Sequence, residues 1–514
     1  MASSRTLRRA SVTLVLVALV ATACTSDDDT RGTGQDSNTA VPHHTYVSRP
    51  DLTPPAISRT DGPAAGEAGA PTSESGEYIF LGLRNAASNP LTGRMIVDTD
   101  GEPVWVEPTG EDNGNWRNYD FRRQEYQGEP VLTWYDGESA TGFGNGDVTM
   151  ADSSYEEIAT VTTGGELDPG RVDLHETTVT PAGTMLVPAY IETPADLSGI
   201  GGPEDGWVYD GVLQEVDIAT GEVVFEWRSL DHIPITDNEQ DFAAEQEENE
   251  DLGTEDAPFD YFHINSITED DDGSLLVSAR NTHAIYQLDR ESGAVNWILG
   301  GKSSDFDLGD GVYFAWQHDA ERQPDGTLTL FDNQAGPQIG EQSRGLRLEL
   351  DTDEMTAEVV TEYLAPSIRV ASSMGSFQQL ENGNVLIGWG SEPYYSEHTP
   401  DGDLIYDAWL GGGGNYRAYR APWTGEPNVP PDVVVQQSES DATAYVSWNG
   451  STETEQWRLL TGDDEASAAE YTTVDRTGFE TAIPAPSDAG YIAVEALDAN
   501  GQVLETGIAE FQDK

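Results

Sequence analysis

The chain has 514 residues, 25 basic against 93 acidic side chains, a net charge of −68 and only 37% hydrophobic residues. A surface this acidic repels a phosphate backbone, which excludes a nucleic-acid binder that works by neutralising phosphates. The 12 Trp, 20 Tyr and 13 Phe are bulky groups that a disordered chain lacks, so the body is expected to fold, at this length as more than one domain. In chain order, Arg5, Arg8 and Arg9 precede an apolar run from Val12 to Ala21, the pattern of a secretory signal over residues 1–24, too short to span a bilayer by itself. It ends in Ala21-Thr22-Ala23-Cys24, which holds the sole cysteine and looks like a bacterial lipobox with Ala21 where Leu is usual; a plain signal peptide with an incidental cysteine is the alternative. The expectation is an exported protein, anchored to the cell membrane on the extracytoplasmic side by a lipid on Cys24 alone, with no intramolecular disulfide. Residues 25–45, acidic and polar with Gly, Ser and Thr, read as a flexible tether. His43 and His44 within it read as linker residues rather than metal ligands.

From about residue 76 to 420 short β-rich runs alternate with Gly and Asp-Gly turns, and almost no segment has apolar residues at helical spacing. The fold class is therefore all-β. One scheme recurs: Leu174-His175-Glu176 leads to Ala182-Gly183-Thr184, His263-Ile264-Asn265 to Asp272-Gly273-Ser274, Gln317-His318-Asp319 to Asp325-Gly326-Thr327, and Ser376-Phe377-Gln378 to Asn382-Gly383-Asn384, each followed by an apolar strand. Hairpins ending on Trp227 and Trp297 repeat as well. Such units at intervals of roughly 40–60 residues predict a β-propeller over 46–426. Tyr78–Val106, Tyr119–Val161, His175–Trp227, His263–Trp297, His318–Tyr363 and Phe377–Trp409 make six blades. The acidic stretch Thr236–Asp256 is too polar for a blade strand and reads as a solvated insertion loop, with a calcium site as the alternative. Asp98–Gly101 and Asp270–Gly273 read as turns. After a break at Pro427–Pro431, alternating strands over 430–514 predict a small fibronectin-like β-sandwich without chemistry of its own.

Three of the eight histidines, His175, His263 and His318, open consecutive units at the same register. The innermost strand of each propeller blade lines the central channel, so these three imidazoles are expected in one pocket. Independently hydrogen-bonded core histidines are the alternative. His232, His283 and His398 fall outside the register and read as structural or surface residues.

Asp173-Leu174-His175-Glu176, Phe262-His263-Ile264-Asn265-Ser266-Ile267, Ser278-Ala279-Arg280-Asn281-Thr282, Trp297-Ile298-Leu299-Gly300-Gly301-Lys302 and Gln317-His318-Asp319-Ala320 follow in order behind Ser48-Arg49-Pro50-Asp51-Leu52-Thr53-Pro54-Pro55. From about Tyr46 to Arg420 the chain resembles the bacterial aryl sulfotransferases, especially their actinobacterial and fungal branch. The resemblance implies a six-bladed propeller that moves a sulfuryl group from a phenolic sulfate ester to an acceptor phenol, without a nucleotide sulfate donor and through a transiently sulfated histidine. By motif position it implies that His318 is the nucleophile. It further implies that His263, Asn265 and Arg280 belong to the substrate pocket and that His175 is the histidine of an earlier blade. The disulfide cysteines of enterobacterial members are missing. These residue types suit the chemistry: Arg280 and Asn265 offer donors to the peripheral oxygens, His318 a nucleophilic nitrogen, and His263 or His175 an acid–base group, the two not being told apart. The same histidines could hold Zn²⁺, but the cationic Arg280 opposes it, so neither metal nor cofactor is expected. The expected partners are small aryl sulfates and phenols. The alternative is a non-catalytic cell-surface propeller that binds glycans or proteins, a scaffold with no need of such a residue set.

Overall fold

The computed structural model describes residues 42–66, 76–84, 93–109, 115–140, 142–437 and 441–513. The expected signal, Cys24 and all but the end of the tether lie outside the described residues. These are all-β, in eight sheets with one α-helix among them, α1, Phe242–Glu248. No helix among them is long and apolar enough to cross a membrane.

Six sheets follow one another through the first 422 residues, each antiparallel in its main order. The second runs Asn115–Tyr126, Glu129–Ala140, Phe143–Ala151, Glu157–Val161, and the third Thr178–Val179, Thr184–Ala195, Gly206–Asp217, Val223–Arg228. The fourth runs Ile264–Glu269, Leu275–Ala279, Ala284–Leu288, Val295–Gly300. The fifth comprises His318–Arg322, Leu328–Asp332, Arg344–Asp351 and Thr356–Tyr363 with Asp307–Leu308 at its outer edge. The sixth comprises Ser376–Gln379, Val385–Gly388, Tyr394–His398 and Leu404–Trp409, edged by Ser58–Asp61. Middle strands such as Leu275–Ala279 and Ala284–Leu288 are buried at every residue, which is why they read as largely apolar runs, whereas the outer Thr356–Tyr363 alternates between more buried and exposed positions. The turn after the first strand recurs. Gly183, Gly273, Gly326 and Gly383 all sit at φ between +81° and +87°, a left-handed corner that only glycine takes without strain. Their amides donate to Thr180, Asp270, Gln323 and Leu380 carbonyls at 2.8–3.0 Å.

The first unit, Tyr78–Val106, supplies only three strands of its sheet. The fourth is Asn415–Pro422, which pairs with Glu77–Leu83, so the end of this region closes onto its beginning. Apolar clusters lie between successive sheets: Phe121 and Trp134 with Phe80, Val131 with Met185, Leu213 with Ile264, Leu276 with Leu330, Phe331 with Phe377, and Leu386 with Ile79. Burial is thus shared around a closed cycle, with the sixth sheet packed on the first. At its middle Arg417, fully buried, reaches four other sheets or their leading segments. Its Nη1 lies 3.2 Å from both Asp120 and Glu176, its Nη2 donates to Asn265 O at 2.8 Å, and its Nε lies 3.5 Å from Asp319. Buried carboxylates and a guanidinium that satisfy one another avoid the large cost of a lone buried charge.

The last two sheets, four strands each, lie in Asp432–Asp513. They share one apolar cluster that includes Val435, Val446, Trp457, Leu459, Ile483 and Val494. Residues 40–514 form one compact unit, and polar contacts join its two parts: Asn449 exchanges two hydrogen bonds with the Val106 backbone, and Tyr155 donates to Gly450 O at 2.7 Å.

The stretch 236–256 is mostly exposed, as its composition predicts, but it also carries ordered structure. Phe242 is buried against Leu197 and Phe259, α1 is capped by Asp241 Oδ1, which accepts from Ala243 and Ala244 amides, and Lys302 Nζ donates to the Thr236 and Asn238 carbonyls. The sole described lysine thus pins an acidic segment to the fourth sheet.

Candidate active site

His175, His263 and His318 stand at the starts of the third, fourth and fifth sheets, and the closed cycle brings them to one cavity of about 810 Å³. Its wall also includes Arg280 and Arg84, the aromatic rings of Tyr119, Phe143, Tyr209 and Tyr416, and, from the acidic stretch, Gln240, Glu245, Asn249 and Asp256.

His318 is held at both ring nitrogens. Its Nδ1 lies 2.8 Å from Asn333 Oδ1 and 3.0 Å from Trp316 O. The Asn333 amide nitrogen donates to Ala371 O at 3.0 Å and to Met374 O at 2.9 Å, which leaves its oxygen facing the ring. Two acceptors at Nδ1 assign the proton to that nitrogen and leave Nε2 with the lone pair. Nε2 accepts the Met374 amide at 3.2 Å. Burial, then the nearby Arg280, hold His318 well below the usual histidine range, so the ring is neutral at neutral pH.

His263 carries φ +62°, an uncommon backbone state for a residue with a side chain and one found at functional positions. It is held by the Arg280 amide, which donates to His263 O at 2.8 Å, and by Asp260 Oδ2, 2.5 Å from Nδ1. Burial lowers its proton affinity, and Asp260 opposes that. His175 has the matching partner in Asp173, whose Oδ1 is 2.5 Å from Nδ1. Tyr416 donates to His175 O at 2.8 Å. The Nε2 atoms of His175 and His263 are 3.2 Å apart.

Arg280 lies over the Trp316 ring at 4.8 Å and donates to Asn281 Oδ1, Gly336 O and Ser372 O at 2.9, 3.1 and 3.5 Å. No described carboxylate forms an ion pair with it. Asn265 is not brought to the wall: it is fully buried, and its amide donates to Gln317 O at 2.5 Å. Of the other histidines, His398 is fully buried with Nε2 2.9 Å from Ser396 Oγ, His283 packs against Trp316, and the exposed His232 stacks on Trp227.

Sequence reasoning gave no role to Asp173, Asp260, Asn333, Arg84 or Glu245. An acid two or three positions ahead of a register histidine is a local signal for the first two. Asn333 sits at the far end of the next strand, and nothing local marks it.

Among solved structures the chain is similar to a protein of unknown function from Bacteroides caccae, at 12% identity and TM-score 0.40, over 67% of this chain and 98% of that one. It is also similar to a catalytically inactive virginiamycin B lyase from Staphylococcus aureus with quinupristin, at 9% identity and TM-score 0.31, over 75% and 93%. A protein of unknown function from Dyadobacter fermentans gives 12% and 0.35, over 66% and 93%. No curated protein matches the sequence. The model of the family described as Arylsulfotransferase (ASST) matches residues 122–411, a span holding all three register histidines and Arg280. The chain belongs to the arylsulfotransferase family.

Proposed function

We propose that the protein transfers a sulfuryl group from a phenolic sulfate ester to an acceptor phenol through a sulfo-histidine at His318, without a nucleotide sulfate donor. The six sheets are the blades of a six-bladed β-propeller over 46–426 with the reaction at its axis, and 430–514 is a fibronectin-like β-sandwich. Cys24 carries the lipid that anchors the exported chain. The observation that carries the enzymatic reading is Arg280, a half-buried guanidinium facing the cavity whose hydrogen-bond partners are neutral oxygens. Asp260 and Glu245 act on its charge at longer range without forming an ion pair with it, which leaves the guanidinium able to take an anionic ligand.

The ester's peripheral oxygens lie against Arg280, with Arg84 on the same wall, and its ring lies among Tyr119, Phe143 and Tyr209. His318 Nε2, neutral and aimed by Asn333, attacks sulfur in line with the phenolic oxygen. The Met374 amide that Nε2 accepts in the resting site is displaced and becomes a donor for a sulfuryl oxygen. Charge in such a loose transition state sits on the peripheral oxygens, so placed donors provide most of the stabilisation. Deprotonation of the acceptor phenol and attack on the sulfo-histidine complete the transfer.

The test is incubation with an aryl sulfate of a coloured phenol and no acceptor. The peptide containing Gln317-His318-Asp319 should gain about 80 Da, and sustained colour release should need an acceptor. His318→Ala should lose both. Ternary-complex kinetics with no labelled histidine would overturn the covalent route.

A further inference from the structure

Two imidazoles in the cavity face each other. His175 and His263 are 5% and 8% exposed, and each has a carboxylate oxygen 2.5 Å from Nδ1. A carboxylate at Nδ1 fixes that nitrogen as the protonated one and leaves Nε2 as the ring's acceptor. Yet the two Nε2 atoms meet at 3.2 Å. With both bare, two lone pairs oppose each other; with both protonated, two N–H groups do. Only one proton between the two nitrogens makes a hydrogen bond. Its positive charge lies between Asp173 and Asp260.

We infer that His175 and His263 act as a single acid–base unit that holds one exchangeable proton between their Nε2 atoms, with Asp173 and Asp260 as positioning residues, and that this unit serves both halves of the sulfuryl transfer. The second clause rests on the sulfotransferase reading. In the first half the His318 Nε2 lone pair forms the N–S bond, the S–O bond to the aryl group breaks with its electron pair going to the phenolic oxygen, and that oxygen takes the unit's proton. In the second half the unit takes the proton of the acceptor hydroxyl, the acceptor oxygen forms the new S–O bond, and the N–S pair returns to Nε2. One proton leaves and one returns, so the unit is restored at each turnover. A metal ion is the other way to satisfy two facing lone pairs. Two nitrogens beside the charge of Arg280 form a poor cage, and no group of three or more His, Cys, Asp or Glu among the described residues is placed to hold one.

The shared proton should appear as a far-downfield proton NMR resonance of the ligand-free protein, lost in His175→Gln and in His263→Gln. Its absence from the folded wild-type protein overturns the unit whatever the reaction. In kinetics, each single variant should slow labelling of His318 by a poorly leaving phenol about as much as the double variant does, on the order of 10²–10⁴-fold, and by little with a phenol that leaves readily. Asp173→Asn and Asp260→Asn should steepen the dependence on leaving-group basicity while the label stays on His318, a change that a merely structural role would not produce. Losses that multiply in the double variant overturn the unit, as does a stoichiometric divalent metal that His263→Gln lacks. A wild-type protein that shows the resonance but takes no label from any aryl sulfate keeps the pair and refutes the sulfotransferase reading instead.

Discussion

Asn333 decides which nitrogen of His318 keeps its lone pair. Both hydrogens of its amide are engaged by main-chain carbonyls, so its oxygen cannot turn away from Nδ1, and the lone pair stays on Nε2 toward the cavity. Asn333→Ala should lower the rate of His318 labelling by about 10²-fold, the scale expected of a reacting group that is misplaced by an ångström, with the donor's KM little changed. Asn333→Asp places a carboxylate beside the ring and favours its charged form. In the wild-type protein His318 is held well below its usual range, so activity is lost through this group only as pH falls below that depressed value. In Asn333→Asp the loss should begin at higher pH, and kcat/KM measured against pH reads the displacement. If the acid limb does not move, Asn333 does not set the protonation of His318. The histidine register was legible because it repeats with the strand pattern, as were Arg280 and its neighbours through their motifs. Asn333 was not, because what makes it functional is the pair of carbonyls at Ala371 and Met374, supplied by a later sheet. Asn265 errs in the other direction. Its position in the His-x-Asn motif suggests a donor to the substrate, yet the amide is turned to the Gln317 carbonyl.

At the scale of elements, the acidic stretch 236–256 separates composition from structure. Its charge reads as a solvated loop and most of it is exposed, but one buried ring, Phe242, the Asp241 cap of α1 and the Lys302 hydrogen bonds order it, with one side against the cavity. This puts Glu245 of α1 on the wall, where burial first and the nearby Asp260 second push its carboxyl up to about 7. A carboxyl raised in this way is neutral below that pH and charged above it, so a negative charge enters the cavity as pH rises through about 7. An anionic ester should then bind less well. We expect the KM of the donor to rise by about five-fold between pH 6 and pH 8, the effect of about 1 kcal/mol of partly screened repulsion, and Glu245→Gln to flatten that rise without changing kcat. A Glu245→Gln protein that retains the wild-type pH dependence places the titration elsewhere. The pairing of Asn415–Pro422 with Glu77–Leu83 was likewise hidden. The sequence repeat reveals units that each contain a hairpin, whereas a strand donated across more than 300 residues leaves no local pattern.

For the whole molecule, the net charge of −68 acts at two depths. Near the middle, Arg417 pairs with Asp120, Glu176 and Asp319, and Arg122 pairs with the first two, largely out of reach of solvent, and salt hardly screens pairs so buried. Over the whole chain 93 acidic side chains face 25 basic ones, so most of the carboxylates at the surface have no basic partner and repel one another. Their mutual repulsion favours the expanded chain. Composition alone therefore predicts a salt dependence, while the buried network at the centre was legible only as isolated charges among blade motifs. Raising NaCl from about 0.1 M to about 1 M shortens the screening length from about 10 Å to about 3 Å. The thermal unfolding midpoint should rise, and by more than in sucrose of equal osmolality, because sucrose does not screen charge. The same screening acts on an anionic donor that approaches so negative a surface. Its kcat/KM should increase with salt, opposite to the usual loss when an attractive field is screened, while kcat, set after binding among Arg280 and the histidines, stays level. A kcat/KM that falls with salt would mean that the positive wall of Arg280 and Arg84 governs the approach, and that the surface charge serves stability alone.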